Sequence, residues 1–517
     1  MPSLGKIVVT TVNDQGQGVF EGDLTVHPTT LPGDANIRRI FTAEKVPLPG
    51  IKYDNTHALN DIANKQGAEF ILTEMPPGII SPMHATPSVD FSCRPLDVVI
   101  VGAGIGGLAC GIACRRQGFN VTIYDQVKEF LRIGDSIGFA TNSAKLLHRW
   151  GVADQLEAIA SKAGKMEMYS YTDSDTCLGY DDHIEQFEKK TGVRALVGHR
   201  GDFHLILRDF CEKQGARIIN ATKVVSYDTT KPSLTLESGE EVTADVIVCA
   251  DGAKSEARML AIGVDNQPLS SGYAIYRGYM DADLIRGDPV AGKFVEKPED
   301  RIRAVLGPDM HGFISTLRDG TQINAVLTHK DKDNIDEAWT KEGKKEDIMA
   351  LLEGWDPAVQ RVWEVFPSCL DWKLVYRPCL DKWVADSGLV TLMGDACHPF
   401  LPTSVQGASQ AIEDGATLAM CLGKAGRNEI SVALHTFFEI RHDYVATAQR
   451  TGIEQREIYH NVHDKESKEL KEDFDVNSTA LSNTYLWEND AEKTVEEKWD
   501  EISAKVRKQL KNGTTKS

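Results

Sequence analysis

The stretch Asp97 to Asp125, DVVIVGAGIGGLACGIACRRQGFNVTIYD, decides the fold. Its apolar run Val98–Val101 suits a strand buried on both faces, and Gly102, Gly104 and Gly107 follow in G-x-G-x-x-G spacing. Each glycine answers a physical requirement. Gly102 permits the tight turn, Gly104 lets the backbone approach a pyrophosphate, and Gly107 lets the next helix pack close to the strand while its first N–H groups face the phosphates. The following strand, VTIYD, closes on Asp125, where a carboxylate can accept hydrogen bonds from ribose hydroxyls. Strand, glycine turn, helix, strand and terminal acid together make a site for the ADP half of a dinucleotide, carried on a parallel sheet.

Working outward, the 517 residues suffice for about three domains, and 41% hydrophobic content is ordinary for a globular chain. A formal net charge of −19 argues against a nucleic-acid partner and against an anionic-membrane patch, since either needs clustered Lys and Arg. Ten cysteines fall singly with no C-x-x-C pair, which points to reduced thiols and not to a disulfide framework or a zinc site. The N-terminal MPSLGKIVVTTVNDQGQG has no basic region followed by an apolar core, so no secretory signal is read. Leu96–Cys114 is nearly uncharged, but its glycines and the nucleotide pattern decide against a membrane span. A cytoplasmic enzyme is the expectation.

Residues 1–94 carry many Pro, Gly and Thr residues and short alternating runs such as Lys6–Val12 and Glu69–Thr73, the pattern of a small β-rich segment. Within it, ILTEMPPGIISPMHATPSVDF (71–91) resembles the first motif of small cupin proteins, and the match stops at Cys93. His84 alone supplies too few ligands for a metal, so no metal site is expected. Further on, AKLLHRWGVADQLEAIA from Ala144 reads as an amphipathic helix closing at Gly164, and Arg200–Gln214 as a second, ended by Gly215. Strands are expected at 217–225, 233–237 and 246–252, the last returning to the nucleotide sheet. Strand patterns with turn signals then fill 272–375, and a buried strand at 389–396 leads into a long helix. The expected organisation is a β-rich segment (1–94), a nucleotide-binding domain in two parts (95–271 and 376–450) around an inserted sheet domain (272–375), and a helical region (451–517). The C-terminal charge runs read as solvated helix faces.

Two more motifs follow buried strands. In CADGAKSEAR, the turn at Asp251-Gly252 brings Asp251, Ser255 and Arg258 toward the nucleotide pyrophosphate, where N–H groups and a cation meet anionic oxygens. In MGDACHPFLPTSVQGASQAIEDG, Asp395 of the Gly394-Asp395 pair can accept from hydroxyls of a bound nucleotide cofactor. The segment Pro402–Ala408 precedes a helix whose positive end would stabilise negative charge on a bound ligand. His398 reads as a structural hydrogen-bonding residue and not as a base.

The order of these three motifs, with GFATNSAKLLHRWG (138–151), HRGDFHLIL (199–207) and YRG (276–278), resembles the single-component FAD-dependent aromatic hydroxylases, the salicylate-hydroxylase-like branch especially. The resemblance implies a p-hydroxybenzoate-hydroxylase-type fold of class α/β, with a Rossmann-like FAD-binding domain and an inserted antiparallel-sheet substrate domain. It implies FAD held tightly, with NADH or NADPH as a transient co-substrate. The implied cofactor contacts are Gly102, Gly104, Gly107, Asp125, Gly138, Arg200, Asp251, Gly252, Asp395, Gly407 and Ala408. The implied reaction hydroxylates a small aromatic or polyketide-derived substrate with O2 and NAD(P)H, with or without loss of a carboxylate; an epoxidase or Baeyer-Villiger-like oxygenase on a larger, non-phenolic substrate is the alternative. Arg277, in the Y-R-G position, is either the catalytic cation that holds a phenol as phenolate or a bridge between the two domains. One departure stands out. Where relatives often carry Tyr-Pro, the strand HGFISTLRDG (311–320) has Ser315 and Thr316, so His311, Tyr273 or Tyr276 takes over the work of that phenol, or the substrate is not an ordinary phenol.

Overall fold

Five parallel strands run side by side in the order Arg217–Ile219, Asn120–Tyr124, Asp97–Val101, Val246–Cys249 and Val390–Leu392 in a computed structural model of the chain. Val and Ile fill the central three, as expected of strands covered on both faces, and Val98, Ile100, Ile123, Ile247 and Val248 are buried. The structure describes residues 95–513 except 133, 265–266, 332–341, 465–466, 468, 472–474 and 476–483, together with the backbone of four short strands ahead of them. The chain separates into two compact units, Met1–Arg94 and Pro95–Ser517. In the first, Lys6–Val12 pairs antiparallel with Gly18–Thr25, and Ile37–Arg39 with Ile71–Thr73. The cupin-like stretch past Thr73, with His84, lies outside the described residues.

The helix Ile105–Arg116 leaves the glycine turn and packs against the long helix Gly407–Ala425. Contact is close enough that a Cβ on Gly415 would stand 2.7 Å from the backbone nitrogen of Cys110. Ala411, near the start of Gly407–Ala425, stands against both Gly106 and Gly394, so this part of the helix lies between the glycine turn and the Gly394-Asp395 loop. The helix expected from Ala144 to Gly164 is instead two, Thr141–Trp150 and Ala153–Glu157, because Gly151 adopts φ +88° and terminates the first. Arg200–Lys213 ends at Gly215 as its sequence indicates.

A second, seven-stranded sheet has the order Leu370–Tyr376, Leu269–Asp281, Gln322–Lys330, Met310–Leu317, Ile302–Gly307, Met166–Ser170 and Asp173–Asp181. It recruits Met166–Asp181 in addition to the 272–375 stretch, and all its pairings are antiparallel except Ile302–Gly307 with Met166–Ser170. One face buries Tyr276, Met280, Ile323 and Ala325 under Ile348, Val359 and Trp363 of the short helices Lys345–Leu351 and Pro357–Val365. By the alternation of strand side chains, Arg277 points to the other face. The 31-residue helix Ile430–His460, about 46 Å long, connects both sheets. Leu434 and Phe437 sit in the nucleotide-domain core, and Tyr459 packs with Met168, Ala304 and Leu306 of the second sheet. The C-terminal helix Ala491–Asn512 is not solvated all round, since Val495, Trp499, Ser503 and Val506 are buried along one stripe. No helix among the described residues is long and apolar enough to cross a membrane.

Candidate active site

Gly102 turns at φ +102°, and a Cβ there would lie 2.3 Å from the carbonyl oxygen of Ala250, so only glycine fits between the two strands. Gly107 is as constrained, its would-be Cβ falling 1.9 Å from the Gly102 oxygen. Gly104 is different. Nothing lies within 4 Å of where its Cβ would be, and it faces a groove of about 690 Å³. The helix beginning at Ile105 has no side-chain cap and no acid in its first turn, which leaves its N–H groups and positive end for an anion.

Gly102, Gly104, Asp125, Arg200, Asp251, Gly252 and Arg277 all line this one groove, although they come from five separate segments. Asp125 meanwhile braces the turn: Oδ2 accepts from the Ala103 N–H at 2.7 Å and Oδ1 from the Val127 N–H at 2.8 Å. Asp251 accepts from the Ala257 N–H through Oδ2 at 3.1 Å, while its buried Oδ1 has no partner. Burial raises the Asp251 pKa against the hydrogen bonds of Ser255 and Ala257. Arg258 departs from expectation. It is buried, and its guanidinium donates to the carbonyls of Ala396 (2.6 Å), Ala253 (2.8 Å) and Asp395 (2.9 Å), so it clamps the two motif turns together and lines neither the groove nor the cavity beside Asp395.

Asp395 lines a smaller adjoining cavity of about 70 Å³ with Pro399, Phe400 and Leu401, and Trp372 borders both spaces. Burial pushes the Asp395 pKa up, opposed by His398, Arg200 and Arg258. The loop that carries it is held from beneath by Asp414, whose Oδ2 accepts from the Gly394 N–H at 2.9 Å and stands 2.6 Å from His398 Nε2. Its other oxygen accepts from Arg441 Nε at 2.8 Å. Burial alone would raise the Asp414 pKa; His398 and Arg441 hold it below the ordinary value. His398 is therefore a fully buried structural partner, as its sequence context suggested. Gly107, Gly138, Gly407 and Ala408 line neither cavity. Gly407 and Ala408 begin a helix with no side-chain cap and no acid in its first turn, and Gly138 lies under Val405, whose Cγ1 would be 3.0 Å from a Cβ there.

Arg277 reaches the groove from the second sheet. Its Nη1 donates to Asp135 Oδ1 at 2.6 Å, and its guanidinium carbon lies 3.1 Å from the ring centroid of Trp372. Asp135 also accepts the Arg200 N–H at its carbonyl (2.7 Å), which links both arginines. Burial lowers the Arg277 pKa, Asp135 opposes this, and Arg200 adds to it. Arg277 Nε is buried without a partner.

The expected stand-ins for a phenol are engaged elsewhere. Tyr276 stacks on His329 beneath the opposite face of the sheet, with ring centroids 4.5 Å apart. Tyr273 donates to Asp309 at 3.4 Å, and His311 Nδ1 stands 2.8 Å from His460 Nε2 in a buried pair. None of the three lines either cavity. Ser315 pairs across from Asn324, whose amide bridges Ser136 of the nucleotide domain (2.8 Å) and the Gly278 carbonyl (3.0 Å).

A family model described as an FAD binding domain matches residues 95–451. Asperlicin C monooxygenase of Petromyces alliaceus is 30% identical over 405 residues, covering 74% of this chain and 84% of that protein. The chain belongs to the FAD-dependent monooxygenases. Two solved structures share the monooxygenase's fold. CtdE in complex with FAD and a substrate superposes with TM-score 0.72 at 23% identity, over 80% of this chain and 100% of that one. A salicylate hydroxylase substrate complex superposes with TM-score 0.62 at 22% identity, over 80% and 98%.

The groove of this monooxygenase suits FAD on its own chemistry. An uncapped helix end, an open glycine cradle, the exposed cation of Arg200 and the unpartnered Asp251 Oδ1 offer what a pyrophosphate flanked by hydroxyl-rich chains requires. Sequence reasoning missed Asp135, Trp372 and His204. His204 Nε2 lies 2.7 Å from the Ala103 carbonyl and its ring is 4.9 Å from Phe130, another groove residue. The H-R-G-D-F-H run holds His204, but its partner on the glycine turn is 101 residues away.

Val405 stands at φ +53°, a strained setting for a β-branched residue, two residues before the helix Gly407–Ala425. Val405→Asn is expected to raise stability by about 1 kcal/mol, measured as the urea midpoint of the apoprotein, because Asn tolerates this backbone region. A pH effect is expected from the His311–His460 pair. Burial, with Arg456 and Lys330 nearby, holds His460 down to about 4, against Asp309 and Glu457, and burial drives His311 well below the ordinary histidine value. Below pH about 6.5 the unfolded chain therefore binds protons that the native chain does not. Stability should be complete above that pH and fall as pH drops toward 4, by up to about 3 kcal/mol from His460, and His460→Gln should flatten the profile.

Proposed function

We propose that the protein oxygenates a small aromatic or polyketide-derived molecule, taking electrons from NADH or NADPH and one oxygen atom from O2. The observation that supports this best is the junction at Arg277 and Trp372, where the face of the second sheet meets both the cofactor groove and the cavity beside Asp395. Bound FAD supplies the oxygen activation. The chain's own part is to seat a substrate against that junction, exclude water and present an electron-rich centre. Uncapped N–H groups at Gly407 stabilise negative charge on the cofactor side, and Arg277 sets the charge on the substrate side, with Asp135 and Trp372 fixing its orientation. The nine cysteines among the described residues are free and buried or partly buried, which supports a reducing, cytoplasmic setting.

One observation favours the second reading, an epoxidase or Baeyer-Villiger-like oxygenase acting on a larger non-phenolic substrate. Tyr273, Tyr276 and His311 are all committed away from the cavities, so no phenol or imidazole among them faces a substrate hydroxyl. NAD(P)H oxidation by the holoenzyme, followed with a simple phenolic acid such as salicylate and with bulky non-phenols, separates the two. Stimulation and a hydroxylated, 18O-labelled product from the phenolic acid support the first reading. Stimulation by non-phenols alone sinks it and supports the second.

A further inference from the structure

We propose that the C-terminal strap, formed by Thr484–Glu488 and Ala491–Asn512, controls how tightly FAD is retained by fixing the Gly394-Asp395 loop through Asn489. The strap lies beyond the matched FAD-binding region, which ends at residue 451. The inference rests on the FAD assignment and adds a positioning residue that touches no cofactor.

Each link is a hydrogen bond between buried or half-buried groups. Asn489 Nδ2 donates to Glu413 Oε1 at 2.6 Å. The other Glu413 oxygen accepts from Arg441 Nη1 at 3.1 Å, and Arg441 Nε donates to Asp414 Oδ1 at 2.8 Å. Asp414 Oδ2 in turn holds the Gly394 N–H at 2.9 Å, one residue before Asp395. Glu413 and Asp414 are wholly buried and share a single guanidinium. Burial pushes the Glu413 pKa up, and Arg441, Asn489 and Asn142 oppose it. Removing the Asn489 donor therefore leaves a carboxylate oxygen unsatisfied in the interior and draws Arg441 away from Asp414.

The strap is built to keep Asn489 at this point. Thr141 Oγ1 donates to the Trp487 carbonyl at 2.8 Å and Lys145 Nζ to the Glu488 carbonyl at 2.9 Å, so the helix Thr141–Trp150 grips the backbone immediately ahead of Asn489. Immediately after it, Asp490 caps the helix Ala491–Asn512 and pairs with Arg149 at 2.6 Å. Asn489 Oδ1 accepts from Thr494 Oγ1 at 3.2 Å, which orients its amide so that the nitrogen faces Glu413.

The test is titration of full-length apoprotein with FAD, followed by flavin fluorescence, with thermal unfolding measured alongside. Asn489→Asp keeps the size but sets a second carboxylate against Glu413; FAD Kd is expected to rise by about tenfold or more. Adding Glu413→Gln to the same chain returns a donor to the contact and should bring Kd back to within about threefold of the parent. Arg507→Ala, which removes the pairing with Glu429 near the far end of the same helix, should leave Kd unchanged while lowering stability slightly. Unchanged Kd in Asn489→Asp, no rescue by Glu413→Gln, or an equal rise in Arg507→Ala would each overturn the proposal. If Asn489→Asp does not fold, Asn489→Ala is judged by the same rise in Kd. Failure of the parent chain to bind FAD would instead strike at the cofactor assignment.

Discussion

Arg277→Met is expected to lower stability by about 3–5 kcal/mol, because it strands Asp135, whose side chain is only 10% exposed, without its counter-ion. Urea unfolding of the apoprotein measures this directly. The informative step is the compensating change. Arg277→Met with Asp135→Leu removes both charges together, and buried pairs replaced by apolar groups of similar size are often no less stable than the original. The double variant is therefore expected to recover most of the lost stability. Substrate-dependent NAD(P)H oxidation should stay at least about a hundredfold down, since the cation next to Trp372 and the cofactor groove is gone. If turnover returned along with stability, Arg277 would be a bridge between nucleotide domain and second sheet and nothing more.

The second large effect contrasts two glycines three residues apart. Gly107→Ala should cost about 3 kcal/mol and abolish FAD binding, because the new Cβ falls 1.9 Å from the Gly102 oxygen and the helix must retreat from the strand. Gly104→Ala should leave stability within about 1 kcal/mol of the parent, since its backbone φ of −69° is open to any residue and no protein atom lies within 4 Å. Its FAD Kd should still rise by about tenfold or more, the methyl group occupying the groove where a phosphate must approach. Equal losses of stability in the two variants would show that the groove at Gly104 is not open to a ligand.

The nucleotide half of the site was legible because its signals are local. A strand, a turn and a helix N-terminus within thirty residues decide where Gly102, Gly104 and Asp125 stand, and the D-G and G-D turns each follow a strand readable from its own apolar run. Arg258 was placed differently for a non-local reason: its motif sets it near the pyrophosphate, but nothing in CADGAKSEAR reveals that the Ala396 carbonyl, 138 residues on, takes its Nε–H. The helix expected through Gly151 failed because apolar periodicity continued across a glycine that the backbone uses at φ +88°.

By itself the sequence determined the parallel nucleotide sheet, the glycine turn and the three strand-end motifs, because hydrophobic period and glycine spacing act over a few residues at a time; FAD came from the family resemblance that those motifs carry together. Only the tertiary structure decided that Arg277 is paired with Asp135 and stacked on Trp372, that Tyr276 faces away from the cavities, and that a strap near the C-terminus braces the loop of Asp395. Those facts depend on which strand lies beside which and on which buried charge finds which partner. They follow from desolvation and packing between segments far apart in the chain, 142 residues for Arg277 and Asp135 and 76 for Asn489 and Glu413, and no local pattern carries them.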